Sequence, residues 1–105
     1  MAGPFEVTDQ NFDEFVQKHD KAVIDCWAAW CGPCRMIGPI VEELAEEKED
    51  IAFGKLNVDQ NRAVPSRYGI MSIPTLLYFK DGKLVDKTLG ALPKPAIESR
   101  LSVLE

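Results

Sequence analysis

The sequence predicts an α/β fold: a central mixed sheet flanked by helices on both faces, closed by a C-terminal hairpin and a last helix. Two nearly continuous apolar runs, Ala22 to Ala28 and Ile51 to Val58, have strand length and suit strands covered on both sides. Between them, Pro33 to Lys48 repeats its apolar residues at helical spacing. Near the end, Asp81-Gly82 separates two strand-like runs and is a strong hairpin signal.

The elements follow in order, after a weak leading strand. Thr8 is placed to cap a helix over about residues 9 to 18, with Phe12, Phe15 and Val16 on its apolar face. In the strand that follows, Asp25 is the one interruption. The long helix sets Met36, Ile37, Ile40, Val41, Leu44 and Ala45 against a run of glutamates, and Pro39 inside it predicts a kink. That charge run, Glu42 to Asp50, reads as a solvated face. Asn61 to Tyr68 reads as a short helix ended by Gly69, Thr75–Phe79 and Lys83–Leu89 as the hairpin, and Pro93 to Leu104 as the closing helix. Residues 1–105 then form one domain, since no repeat, low-complexity tract or linker divides them.

Composition excludes several function classes. A chain of 105 residues can build one core without obligatory staples. The longest apolar run, Ile73 to Phe79, is far too short to span a bilayer, and a net charge of -5 disfavours a nucleic-acid backbone. With no basic n-region or apolar h-region at the N-terminus, the expected location is the cytoplasm and the expected partners are proteins. A reducing compartment makes structural disulfides rare, so a close thiol pair in this chain points to redox chemistry.

That pair is Cys31 and Cys34, in Trp30-Cys31-Gly32-Pro33-Cys34. Cys31 follows a strand and opens a helix, with Pro33 in the first turn where its missing N–H costs nothing. A helix N-terminus favours a nearby anion by about 0.3 to 1 kcal/mol, which promotes the thiolate. Because nucleophilicity falls with thiol basicity, the kinetic gain is modest, and positioning beside a second thiol carries most of the effect. Cβ atoms three residues apart on a helix lie about 5 to 6 Å apart, against about 3.5 to 4.5 Å in a disulfide, so a slightly tightened turn reaches both states. An exposed Cys31 thiolate would attack a substrate disulfide, and Cys34 would then resolve the mixed disulfide. A metal site fits less well, having one thiol pair, a lone His19 in a polar turn and a strand cysteine, Cys26, that reads as a small buried hydrophobe. No metal or bound cofactor is expected.

The segment Ile24 to Cys34 closely resembles the thioredoxin family. The similarity continues through Lys55 to Asp59, Tyr68-Gly69-Ile70, Ile73-Pro74-Thr75-Leu76, Asp81-Gly82 and Leu89-Gly90-Ala91-Leu92. It implies a thioredoxin fold and a protein-disulfide reductase that acts on protein substrates and is recharged by a thioredoxin reductase. It further implies that Cys31 is the nucleophile, Cys34 the resolving thiol, Asp25 the buried carboxylate that takes the Cys34 proton, and Lys55 the lysine near that Asp. A buried carboxylate should have a raised pKa, which suits a base near neutrality. Ile73-Pro74 resembles the family's cis-proline segment, where the backbone of Ile73 pairs with substrate. Trp30, Gly32, Pro33, Leu89, Gly90 and Ala91 resemble its docking collar. Arg35 stands where lysine is also common. The resemblance is to a monomer without cofactor. Alternatives are a disulfide oxidant or isomerase, which Pro33 disfavours, a glutaredoxin, and a binding subunit of the same fold without turnover.

Overall fold

The structure, a computed structural model, describes residues 3–105. Strand β1 (Phe5–Glu6) leads into helix α1 (Phe12–Lys18), β2 (Lys21–Trp27), α2 (Gly32–Glu47), β3 (Ala52–Asn57) and α3 (Ala63–Arg67). The hairpin β4 (Thr75–Lys80) and β5 (Lys83–Leu89) follows, then α4 (Lys94–Arg100), which tightens into a 3₁₀ turn over Leu101–Leu104. The sheet order is β1-β3-β2-β4-β5. The first three strands run parallel, and β4 and β5 are antiparallel to their neighbours.

Alternation along the strands sorts the core into two layers. Ala22, Ile24 and Cys26 of β2 join Leu77 and Phe79 of β4 against Phe12, Phe15 and Val16 of α1 and Val64 of α3. Val23 of β2 and Phe53 of β3 face the other way with Leu76 and Tyr78, against Ile37, Val41 and Leu44 of α2 and Ile97 of α4. Helices thus cover both faces, as the nearly continuous apolar runs predict. By the same alternation, Asp25 and Lys55 share the α2 face. On the opposite face, Gly54 has no room for a side chain: a Cβ there would sit 2.5 Å from Val7 Cγ2.

Local chemistry explains where the elements begin and end. Helix α1 starts at Phe12 rather than near residue 9, because Thr8 does not cap it. Instead the Thr8 N–H donates to Asn11 Oδ1 at 2.8 Å and the Asn11 N–H to Thr8 Oγ1 at 3.2 Å, closing a turn ahead of the helix. Helix α3 is shorter than its apolar pattern suggests, because Asn61 is drawn out of it to accept from the Asp9 N–H. Asp9 in turn caps α3, accepting from the N–H groups of Ala63 and Val64 at 3.1 and 3.0 Å. In the hairpin both Asp81 (φ 52°) and Gly82 (φ 82°) take positive φ, as its tight turn demands. Helix α2 continues unbroken past Pro39, which lies on its exposed side. Its glutamates are not merely solvated, since Glu43 and Glu47 both grip Lys94 at 2.8 and 2.7 Å and tie α2 to α4.

Candidate active site

Strand β2 ends at Trp27, and four residues later the chain opens α2. Cys31 is the N-cap residue, with extended φ and ψ of -91° and 110°. Its Sγ accepts the Cys34 N–H at 3.2 Å, so one of the unpaired donors of the first turn points at this sulfur, as the helix-start argument anticipated. Cys31 and Cys34 are joined as a disulfide with Cα atoms 5.3 Å apart. The expectation of an exposed Cys31 needs correcting for this oxidised form. The residue is only 4% exposed, packed with Ala28 and Cys34 against Trp27, Val58 and Ile73.

The loop before β4 closes the site from the other side. The Ile73-Pro74 bond is cis, and the carbonyl oxygen of Ile73 lies 3.8 Å from Cys31 Sγ. Pro74 is buried, and its carbonyl accepts the N–H of Gly90 at 2.8 Å, which holds the turn after β5 against this loop. Gly90 takes φ of 86°, a conformation that suits glycine. Leu89 and Ala91 flank it and are exposed, as are Gly32 and Pro33 of the first helical turn. Trp30 is 67% exposed, yet its Nε1 donates to Asp59 Oδ2 at 2.9 Å. Arg35 donates to the Ala29 carbonyl at 2.9 Å and pins the loop between β2 and α2.

Behind the disulfide lies a cavity of about 340 Å³, bounded by Asp25, Trp27, Cys34, Arg35, Glu42 and Lys55 among others. Asp25 sits at mid-strand and is 4% exposed, and its Oδ1 has no hydrogen-bond partner among the described residues. Burial drives its carboxyl up to about 7, while the positive charge of Lys55 pulls the other way without prevailing. The two residues are register partners across β2 and β3, and the Lys55 ammonium lies 5.6 Å from the centre of the Trp27 ring. One residue along, Cys26 faces the opposite core layer, where burial and then the Asp25 charge push its thiol up to about 12. His19 is partly buried on the Phe15 ring, 4.9 Å between centroids, rather than lying free in its turn. Among the described residues no cluster of three or more His, Cys, Asp or Glu side chains could hold a metal, and no helix is long and apolar enough to cross a membrane.

Of the sequence-derived candidates, Cys31, Cys34, Ile73 and Pro74 meet at one point, and Gly90 is tied to it through Pro74. Asp25 and Lys55 meet at the cavity behind. Sequence reasoning did not single out Asp59 and Met71. Asp59 belongs to a quoted motif, but its partner Trp30 lies 29 residues away. Met71, 94% exposed, carries no pattern signal at all.

A cysteine pair that closes on itself at a helix N-terminus, next to the carbonyl that precedes a cis-proline and near a buried acid, is the machinery of thiol–disulfide oxidoreductases. The family model described as Thioredoxin matches residues 3–103. Thioredoxin 2 of Chlorobaculum tepidum is 54% identical over 99 residues, covering 92% of this chain and 91% of that protein. The thioredoxin of Alicyclobacillus acidocaldarius is 47% identical over 97 residues, covering 91% and 92%. A mutant thioredoxin from Halobacterium salinarum superposes with a TM-score of 0.91 at 36% identity, covering all of this chain and 96% of the other. The chain belongs to the thioredoxin family and is a thiol–disulfide oxidoreductase.

Proposed function

We propose that the chain, acting as one cytoplasmic, monomeric domain, reduces disulfides of protein substrates and is then re-reduced by a thioredoxin reductase. The observation that carries this reading is the Cys31–Cys34 pair at the start of α2, with a backbone N–H held on Cys31 Sγ. In the reduced form the Cys31 thiolate attacks one sulfur of the substrate disulfide, breaking that bond and releasing one substrate thiolate, which takes a proton from water. Cys34 loses its proton and attacks Cys31 Sγ, closing the intramolecular disulfide and releasing the second substrate thiol. Two electrons pass to the substrate. No bound cofactor enters the cycle.

Asp25 is the base for the Cys34 proton in this scheme. A carboxyl at about 7 is close to the pH at which it works, so it can accept and return a proton without a large penalty either way. Lys55 moderates it electrostatically. The collar of Trp30, Gly32, Pro33, Ile73, Pro74, Leu89, Gly90 and Ala91 receives the substrate chain, with the Ile73 backbone pairing to it beside the sulfur. The test is trapping. A Cys34→Ser chain, reduced and mixed with a disulfide-bonded protein, should accumulate a stable mixed disulfide through Cys31, visible by mass, and turn over no further. An oxidant or isomerase would instead show a redox midpoint near that of disulfide donors. A pure binding subunit would retain substrate equally well in a Cys31→Ser, Cys34→Ser double variant.

A further inference from the structure

Between Trp27 at the end of β2 and Gly32 at the start of α2, the chain carries its nucleophile on the loop from Ala28 to Cys31. Ala28 is buried, but Ala29 and Trp30 are exposed. The Cys31 N–H donates to the Ala28 carbonyl at 3.2 Å, the Trp30 indole to Asp59, and Arg35 Nη2 to the Ala29 carbonyl at 2.9 Å.

The Arg35 bond differs from the others in what it spans. Ala29 precedes Cys31 and Arg35 follows Cys34, so the bridge closes a ring around both cysteines and ties the loop to the first turns of α2. The disulfide and the Cys34 N–H on Cys31 Sγ cross the same ring, and both depend on the state of that sulfur. The Arg35 bridge does not. When the disulfide opens, the loop gains freedom that must be given up again as Cys34 closes on Cys31, and a tether that survives the opening keeps that loss small.

We propose that Arg35 is a positioning residue for the redox pair: through the Ala29 carbonyl it holds the nucleophile's loop on α2 while the disulfide is open, and so favours closure. This makes Cys31 and Cys34 a stronger reductant, and on the reductase reading above it drives release of reduced substrate. The charge of the same side chain works in the opposite sense. A cation beside Cys31 stabilises the thiolate, hence the reduced form, and weakens the pair as a reductant. The sign of the change on replacing Arg35 therefore separates bridge from charge.

The experiment is a redox titration of the Cys31/Cys34 pair in dithiothreitol buffers at pH about 7, for the wild type, Arg35→Met and Arg35→Gln, at about 0.1 and about 0.5 M salt. Methionine has no donor, and the glutamine amide ends two atoms short of the guanidinium tip. Both variants should shift the equilibrium about threefold towards the dithiol, the yield of one exposed hydrogen bond, which raises the potential by about 14 mV. The shift should hold at both salt concentrations with unchanged circular dichroism. Amide exchange at Trp30 and Cys31 should quicken in the reduced variants and stay near the wild-type rate in the oxidised ones. A potential that stays put or falls, or exchange that quickens equally in both forms, overturns the positioning role. A wild type that titrates reversibly yet reduces no protein disulfide refutes the reductase reading, while the potentials still decide on the bridge.

Discussion

Asp25 and Cys26 are neighbours on β2, exposed by 4% and 0%, and both are pushed towards their neutral forms by burial. They face opposite ways. Cys26 points into the layer of Phe12, Phe15 and Val64, and its thiol is held protonated at any working pH. Asp25 points towards α2, where a cavity opens beside it and Lys55 supplies an opposing charge, and it remains able to titrate near neutrality. One step of strand alternation therefore separates a group sealed into the core from one that can exchange protons. Cys31 extends the contrast, since the same residue type at a helix N-terminus, though also packed among apolar side chains, has a backbone donor on its sulfur.

The contrast breaks most sharply in exchange rates. Cys31→Ser should abolish protein-disulfide reduction, whereas Cys26→Ser should leave its rate within about twofold, because a thiol held near 12 supplies almost no thiolate. The second largest effect is on stability. Asp25 binds its proton more tightly folded, at about 7, than at the ordinary 3.8, so between those values the native state holds more protons than the unfolded chain. Stability then falls as pH rises through that window, by up to about 4 kcal/mol, and stays low above it. Asp25→Asn removes the term. By urea titration it should be more stable than the wild type at pH about 8 and nearly equal at pH about 4, while it resolves trapped mixed disulfides more slowly. Equal stability at both would refute the burial argument.

Cys26 also has a packing role, and Gly54 shares its side of the sheet. Gly54→Ala should cost about 1–3 kcal/mol in urea midpoint analysis, since a new methyl meets Val7 Cγ2 at 2.5 Å and also crowds Ile24 and Phe15. The exchange rate of the folded fraction should not change.

Where the determining contacts are local, the sequence was legible. The apolar runs of β2 and β3 and the Asp81-Gly82 turn depend on a few neighbouring residues, and the helix start at Cys31 is fixed by its own first turn. The start of α1 was misread because Asn11 spends its side chain on Thr8, and the extent of α3 depends on Asp9, more than fifty residues earlier in the chain. The disposition of Asp25 followed from the rarity of a buried carboxylate. By contrast, the cis state of Ile73-Pro74 came from the family resemblance, since X-Pro bonds are mostly trans. The pairing of Trp30 with Asp59 and the exposure of Met71 exist only once distant segments have met.

The smallest effect sharpens the comparison on the Asp25 side. Lys55 is the register partner of Asp25, and its charge opposes the effect of burial. Being solvent-exposed, it acts through a screened field, so its influence should be weak and should fade with salt. Lys55→Gln should move the Asp25 titration upward, because the ionised carboxylate loses its one favourable charge while the burial penalty stays. Lys55→Arg should hold it in place. Following the Asp25 carboxyl carbon by NMR across pH 5 to 10, at about 0.02 and about 0.5 M salt, reads this directly. A Lys55→Gln curve that overlays the wild type at low salt would show that the lysine serves only to pack over Trp27, and that the cavity alone sets the acid apart from its neighbour in β2.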